Sequence, residues 1–131
     1  MDCEELSRII SDNSEQVQVI DLRIEDFLAG HIKGAWQVPV RKDITDEQLG
    51  SLLTKLQNAF PNEIPVTVVF HCTASKNRGP RTKQRFEQYC EALGVSRKFR
   101  AFVLTGGYYA WEEYCKLSET PNCLMPNIST S

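Results

Sequence analysis

The chain has 131 residues, with 15 Lys and Arg against 17 Asp and Glu, a net charge of −2, 41% hydrophobic and 24% charged residues. That is the size and composition of one soluble domain built on one core, and so even a charge balance points to neither a nucleic-acid nor a membrane partner. No apolar run approaches the roughly 18 residues that span a bilayer, and the start, Met1-Asp2-Cys3-Glu4-Glu5, is acidic where a secretory signal is basic; a cytosolic chain is expected.

In chain order, Leu6, Ile9 and Ile10 fall at helical spacing and predict a short first helix. Residues 17–23 form a β-branched run with the length of a strand. Across 26–35, Gly30 and Gly34 punctuate a helical turn and loop before a short strand near Trp36. Thr45 is placed to cap a helix whose apolar face is Leu49, Leu52, Leu53 and Leu56, ending near Phe60-Pro61. Residues 66–71 are the most hydrophobic run, as expected of a strand buried on both faces. A helix follows from Gly79 to Leu93, with Pro80 tolerated in its first turn and Gly94 available to end it. Residues 101–104 predict another strand, Gly106-Gly107 a tight turn, and residues 108–116 a last helix. The alternation implies an α/β domain with a central, mainly parallel sheet flanked by helices on both faces. The domain is expected to occupy 1–117, with 118–131 a flexible tail whose Asn127-Ile128-Ser129 sequon has no secretory route to serve it.

The five cysteines, Cys3, Cys72, Cys90, Cys115 and Cys123, are an odd number without C-x-x-C pairs or zinc-ligand spacing. No disulfide framework and no metal site are expected, and each thiol is by default a small buried residue. Cys72 departs from that default. His71-Cys72-Thr73-Ala74-Ser75-Lys76-Asn77-Arg78 puts a thiol and a guanidinium at the two ends of a loop between a buried strand and a helix. If the loop wraps into a cradle, the amides of Thr73, Ala74, Ser75, Lys76, Asn77 and Arg78 point inward and the helix dipole adds positive potential, both favouring a bound oxyanion. The same field favours an exposed, nucleophilic thiolate at Cys72, and the fork of Arg78 suits two oxygens of a tetrahedral anion. His71 fits a supporting hydrogen-bond role better than proton transfer, and Ser75 is as well suited to satisfying loop backbone as to contacting sulfur or anion. Asp21 and Arg23 end the first strand, where open α/β sheets build their crevice.

These segments resemble the fungal-type arsenate reductases, relatives of the cell-division-cycle dual-specificity phosphatases in the rhodanese superfamily. The likeness runs from about Leu6 to Trp111 through Val19-Ile20-Asp21-Leu22-Arg23, Gly30-His31-Ile32-x-Gly34-Ala35-Trp36, Phe70 to Pro80, and Leu104-x-Gly106-Gly107-x-Tyr109-Ala110-Trp111. It implies a rhodanese-like fold and reduction of arsenate to arsenite, with Cys72 attacking arsenate, glutathione as co-substrate and glutaredoxin as partner. No bound cofactor is implied, Asp21 and Arg23 would brace the loop, and a homodimer is the assembly considered. A sulfurtransferase of the same scaffold has a loop one residue shorter than Cys72 to Arg78. The alternative is a dual-specificity phosphatase working through a phosphocysteine, because phosphate matches arsenate in charge and shape. Against it, the related cell-cycle phosphatases carry Glu where this chain has Asn77, the tyrosine-phosphatase pattern has Ser or Thr where it has Gly79, and Lys76 adds charge suited to a small free anion. Cys90 lies too far along its helix to resolve an adduct at Cys72, whereas Cys123 stays open as a resolving thiol.

Overall fold

The computed structural model describes residues 1–13, 15–74, 76–118 and 124–125. Within them, helix α1 (Cys3–Asp12) leads to strand β1 (Gln16–Asp21), a 3-10 turn (Asp26–Ala29), and the short strands β2 (His31–Ile32) and β3 (Trp36–Gln37). Helix α2 (Asp46–Ala59), strand β4 (Val66–His71), helix α3 (Arg78–Ala92), strand β5 (Phe99–Val103), helix α4 (Gly107–Ser118) and strand β6 (Leu124–Met125) follow. Thr45 caps α2 through a reciprocal capping box with Gln48, which accounts for that helix starting where its sequence signal lies.

The central sheet has the order β3-β1-β4-β5 with every pairing parallel, so the chain adds β3 on one side of β1 and then crosses back to place β4 on the other. The ligand crevice of such a sheet opens at the carboxyl ends of the strands beside that reversal. All six residues of β4 are buried, and the pleat sorts them by face. Val66, Val68 and Phe70 join Ile20, the α2 leucines and Phe86 of α3 in one core cluster. Val69 joins Val19, Leu6 of α1 and Tyr108 and Trp111 of α4 in the other. His71 shares the side of Val69, and the register pairs it with Asp21. Two polar residues thereby meet inside the α1/α4 layer, directly behind the crevice.

Two expectations change. Residues 31–32, read as loop, pair antiparallel with Leu124–Met125, so part of the segment expected to be a flexible tail is strand; Asn127 to Ser129 and Cys123 lie outside the described residues. Cys115, expected to stay a free thiol, is disulfide-bonded.

Candidate active site

Cys72 leaves the end of β4 and Arg78 opens α3, so both ends of the loop are fixed by regular structure. Asn77 is the N-cap of α3 but makes no side-chain cap hydrogen bond, so its side chain does not compete with an anion for the first-turn amides of that helix. A cavity of about 460 Å³ is lined by Cys72, Thr73, Ala74, Lys76, Asn77 and Arg78 of the loop, by Arg81, and by Arg41 and Lys42 from the β3–α2 connection. The structure thus brings Thr73, Ala74, Lys76, Asn77 and both end residues to one concavity, while Ser75 lies outside the described residues. Cys72 is only 4% exposed. The expected exposed sulfur at the mouth is therefore corrected to a residue on the cavity floor, where strand and helix packing enclose it.

The orientation of the loop is set from behind. The amides of Tyr108 and Tyr109, in the first turn of α4, donate to the carbonyls of Cys72 (3.0 Å) and Thr73 (3.1 Å). In a planar trans peptide the N–H points opposite to the C=O. Fixing those two carbonyls toward α4 turns the amides of Thr73 and Ala74 the other way, toward the cavity that these residues line. This close approach needs Gly107: its φ is +62°, and a Cβ there would stand 2.6 Å from the Cys72 carbonyl oxygen and 2.7 Å from that of Thr73. Gly106-Gly107 is visible in the sequence as a turn, but its contact with a loop so far away in the chain is not.

A buried polar cluster completes this support. Arg23 pairs with Asp21 (Nη2 to Oδ2, 2.7 Å), donates to the Gly30 carbonyl, and lies 3.8 Å over the Tyr108 ring. His71 also stacks with Tyr108, the ring centroids 6.1 Å apart. A carbonyl can only accept, so His71 Nδ1 donates to the Cys72 oxygen at 3.1 Å, fixing the tautomer. In the neutral ring this makes Nε2 the unprotonated nitrogen, without a hydrogen-bond partner among the described residues and 3.6 Å from Asp21 Oδ2. Burial pushes His71 below its ordinary value, and the Asp21 carboxylate only partly opposes this. Asp21, Arg23 and His71 thus act on the loop through Tyr108 and the Cys72 carbonyl rather than by lining the cavity.

The front wall is built by arginines on one face of α3. Arg78 Nη1 donates to the Val40 carbonyl (3.1 Å), Arg81 pairs with Asp43 (2.6 Å), and Arg85 reaches the Ile44 carbonyl and Asp46. Spacing of three and four residues puts these side chains in line, and together they clip the β3–α2 connection beside the loop. Arg41 and Lys42 were not anticipated, because only this clip brings them to the cavity. Of the other described thiols, Cys3 and Cys90 are buried; burial raises both, Cys90 to about 11, as suits inert core sulfur. A larger cavity of about 540 Å³ lies between Phe60, Asn62 and Lys98 but is lined by no nucleophilic thiol.

This parallel sheet with a thiol-to-arginine loop at its carboxyl edge is the architecture of a rhodanese-like domain, and the chain belongs to that family, which matches residues 2–114. It is 44% identical over 114 residues to arsenical-resistance protein 2 of Saccharomyces cerevisiae, covering 87% of this chain and 88% of that one. Among solved structures, the yeast protein tyrosine phosphatase of the rhodanese family Ygr203w superposes with a TM-score of 0.82 at 27% identity, over 98% of this chain and 92% of the other. The As-Sb reductase from Leishmania major superposes with a TM-score of 0.79 at 26% identity, over 98% and 86%. No helix among the described residues is long and apolar enough to cross a membrane.

Proposed function

We propose that this protein is an arsenate reductase in which Cys72 is the nucleophile and Arg78 with the loop amides holds the oxyanion. The observation that carries this reading is the single thiol on the floor of a cation-lined cavity, in a chain 44% identical to an arsenical-resistance protein. The Cys72 thiolate attacks arsenic; an As–O bond breaks, its oxygen leaves as water after protonation, and an S–As bond forms with arsenic still pentavalent. A second thiolate, supplied by glutathione, attacks the Cys72 sulfur. The S–As bond breaks with its electron pair staying on arsenic, which leaves as trivalent arsenite, and a Cys72–glutathione disulfide forms. Glutaredoxin then takes the glutathione sulfur and returns the Cys72 thiolate. Arg78 and the inward amides neutralise oxygen charge at each stage.

Phosphate ester cleavage is the second reading, favoured by the likeness to Ygr203w. It benefits from an acid for the leaving oxygen, and among the described residues no carboxyl side chain lines the cavity. The purified chain, supplied with glutathione, glutaredoxin and their reducing system, is expected to reduce arsenate and to hydrolyse aryl phosphates poorly. Cys72→Ser should lower arsenate turnover by more than about a thousandfold with an unchanged fold. Vigorous aryl phosphate hydrolysis without arsenate turnover would reverse the assignment.

A further inference from the structure

We propose that Arg41 and Lys42 form a second anion subsite, which binds the carboxylates of a small peptide thiol and so presents its sulfur to Cys72. The inference rests on the reductase reading and names the residues that would receive the carboxylates of the thiol co-substrate proposed there. Reduction of arsenic by two electrons consumes two thiols, and among the described residues Cys72 is the one thiol that lines the cavity. Of the other described thiols, Cys3 and Cys90 are buried in the core and Cys115 is already in a disulfide, so none of these is placed to supply the second sulfur, and the proposal draws it from solution.

Charge selects which thiol enters. Five of the nine lining residues, Arg41, Lys42, Lys76, Arg78 and Arg81, are cations and none is an acid, in a chain whose net charge is −2. The excess is therefore local. Arg81 is neutralised by Asp43, and Arg78 and Lys76 belong to the primary anion loop. Arg41 and Lys42 come from a different element, are exposed, and make no ion pair among the described residues. Their backbone is nevertheless held in place, because Val40, Asp43 and Ile44 on either side are gripped by Arg78, Arg81 and Arg85. A volume of about 460 Å³ also lies within the range of pockets that hold drug-sized ligands, more than a lone four-oxygen anion needs. A guanidinium and an ammonium at the rim match the two carboxylates of a tripeptide thiol such as glutathione, the arginine fork donating two parallel hydrogen bonds to one of them.

The test is disulfide exchange at Cys72, which involves no arsenate. Rates of Cys72 modification by oxidised glutathione, which carries carboxylates, and by neutral hydroxyethyl disulfide are measured for the full chain, with Cys72→Ser as the blank. In the Arg41→Glu, Lys42→Glu double variant the ratio of the anionic to the neutral rate should fall by about tenfold or more, and the KM for glutathione should rise more than the KM for arsenate. The swap Arg41→Lys, Lys42→Arg should retain most of the ratio. An unchanged ratio, or a parallel fall of both rates, overturns the subsite. A falling ratio in a protein whose parent does not reduce arsenate upholds the subsite and overturns the reaction assigned to it.

Discussion

Two groups of charged side chains flank the loop from Cys72 to Arg78, and they use charge in opposite ways. Behind it, Asp21 and Arg23 are 0% and 4% exposed, paired with each other and packed against Tyr108 and His71. In front, Arg41, Lys42 and Lys76 are exposed and have no acidic partner among the described residues. A buried charge without its counterion is costly, so the rear group must be complete before any ligand arrives. The front group can stay unneutralised because water solvates it, and its missing counterions are what a ligand supplies. The difference separates what holds the loop from what fills it, and the two should respond differently to mutation, pH and salt.

The sharpest way to break the comparison is to remove one rear charge. Asp21→Asn leaves Arg23 buried without a carboxylate and should cost about 3–5 kcal/mol of folding stability, read as a lower urea midpoint. A loss below about 1 kcal/mol would mean that water reaches the pair and that the rear group is not dry.

A smaller effect comes from His71. Its pKa is depressed in the fold by burial, whereas the unfolded chain takes up a proton near the ordinary value of 6.5. Below that pH the unfolded state binds more protons, so stability is present above it and falls as pH drops, by at most about 1.4 kcal/mol per unit, until the folded-state value is reached. Urea unfolding at pH 7, 6 and 5 should show this slope, and His71→Asn should flatten its upper part. An equal slope in the variant would assign the proton uptake elsewhere.

The smallest effect belongs to the exposed ion pair that adjoins the front group. Arg81 and Asp43 are 48% and 44% exposed, so Arg81→Ala should cost less than about 1 kcal/mol in thermal unfolding, and less still in high salt. A loss comparable to that of Asp21→Asn would erase the distinction between the two groups.

Part of the scaffold and both ends of the loop are legible in local sequence. The β-branched run of β4 announces a buried strand, Thr45 announces the start of α2, and Cys72 and Arg78 stand out because a thiol and a guanidinium bracket a strand-to-helix loop. What escapes are contacts made across long stretches of chain. The two-residue strand β2 is too short to carry a pattern and finds its partner in Leu124–Met125. Arg41 and Lys42 look like ordinary solvated charges until three arginines on one helix face draw their connection to the cavity. His71 reveals its donor role only when the parallel register sets it beside Asp21 and the stacked Tyr108 encloses it.

The absent side chain at residue 107 has one more consequence. The loop borrows its peptide orientation from the start of α4, so residues 72–78 are not a portable unit. Grafted onto another scaffold, the same seven residues would keep their chemistry and lose the helix end that aims their amides. Any bulk introduced at position 107, methyl included, would push the two apart from within, while every residue that lines the cavity remained unaltered.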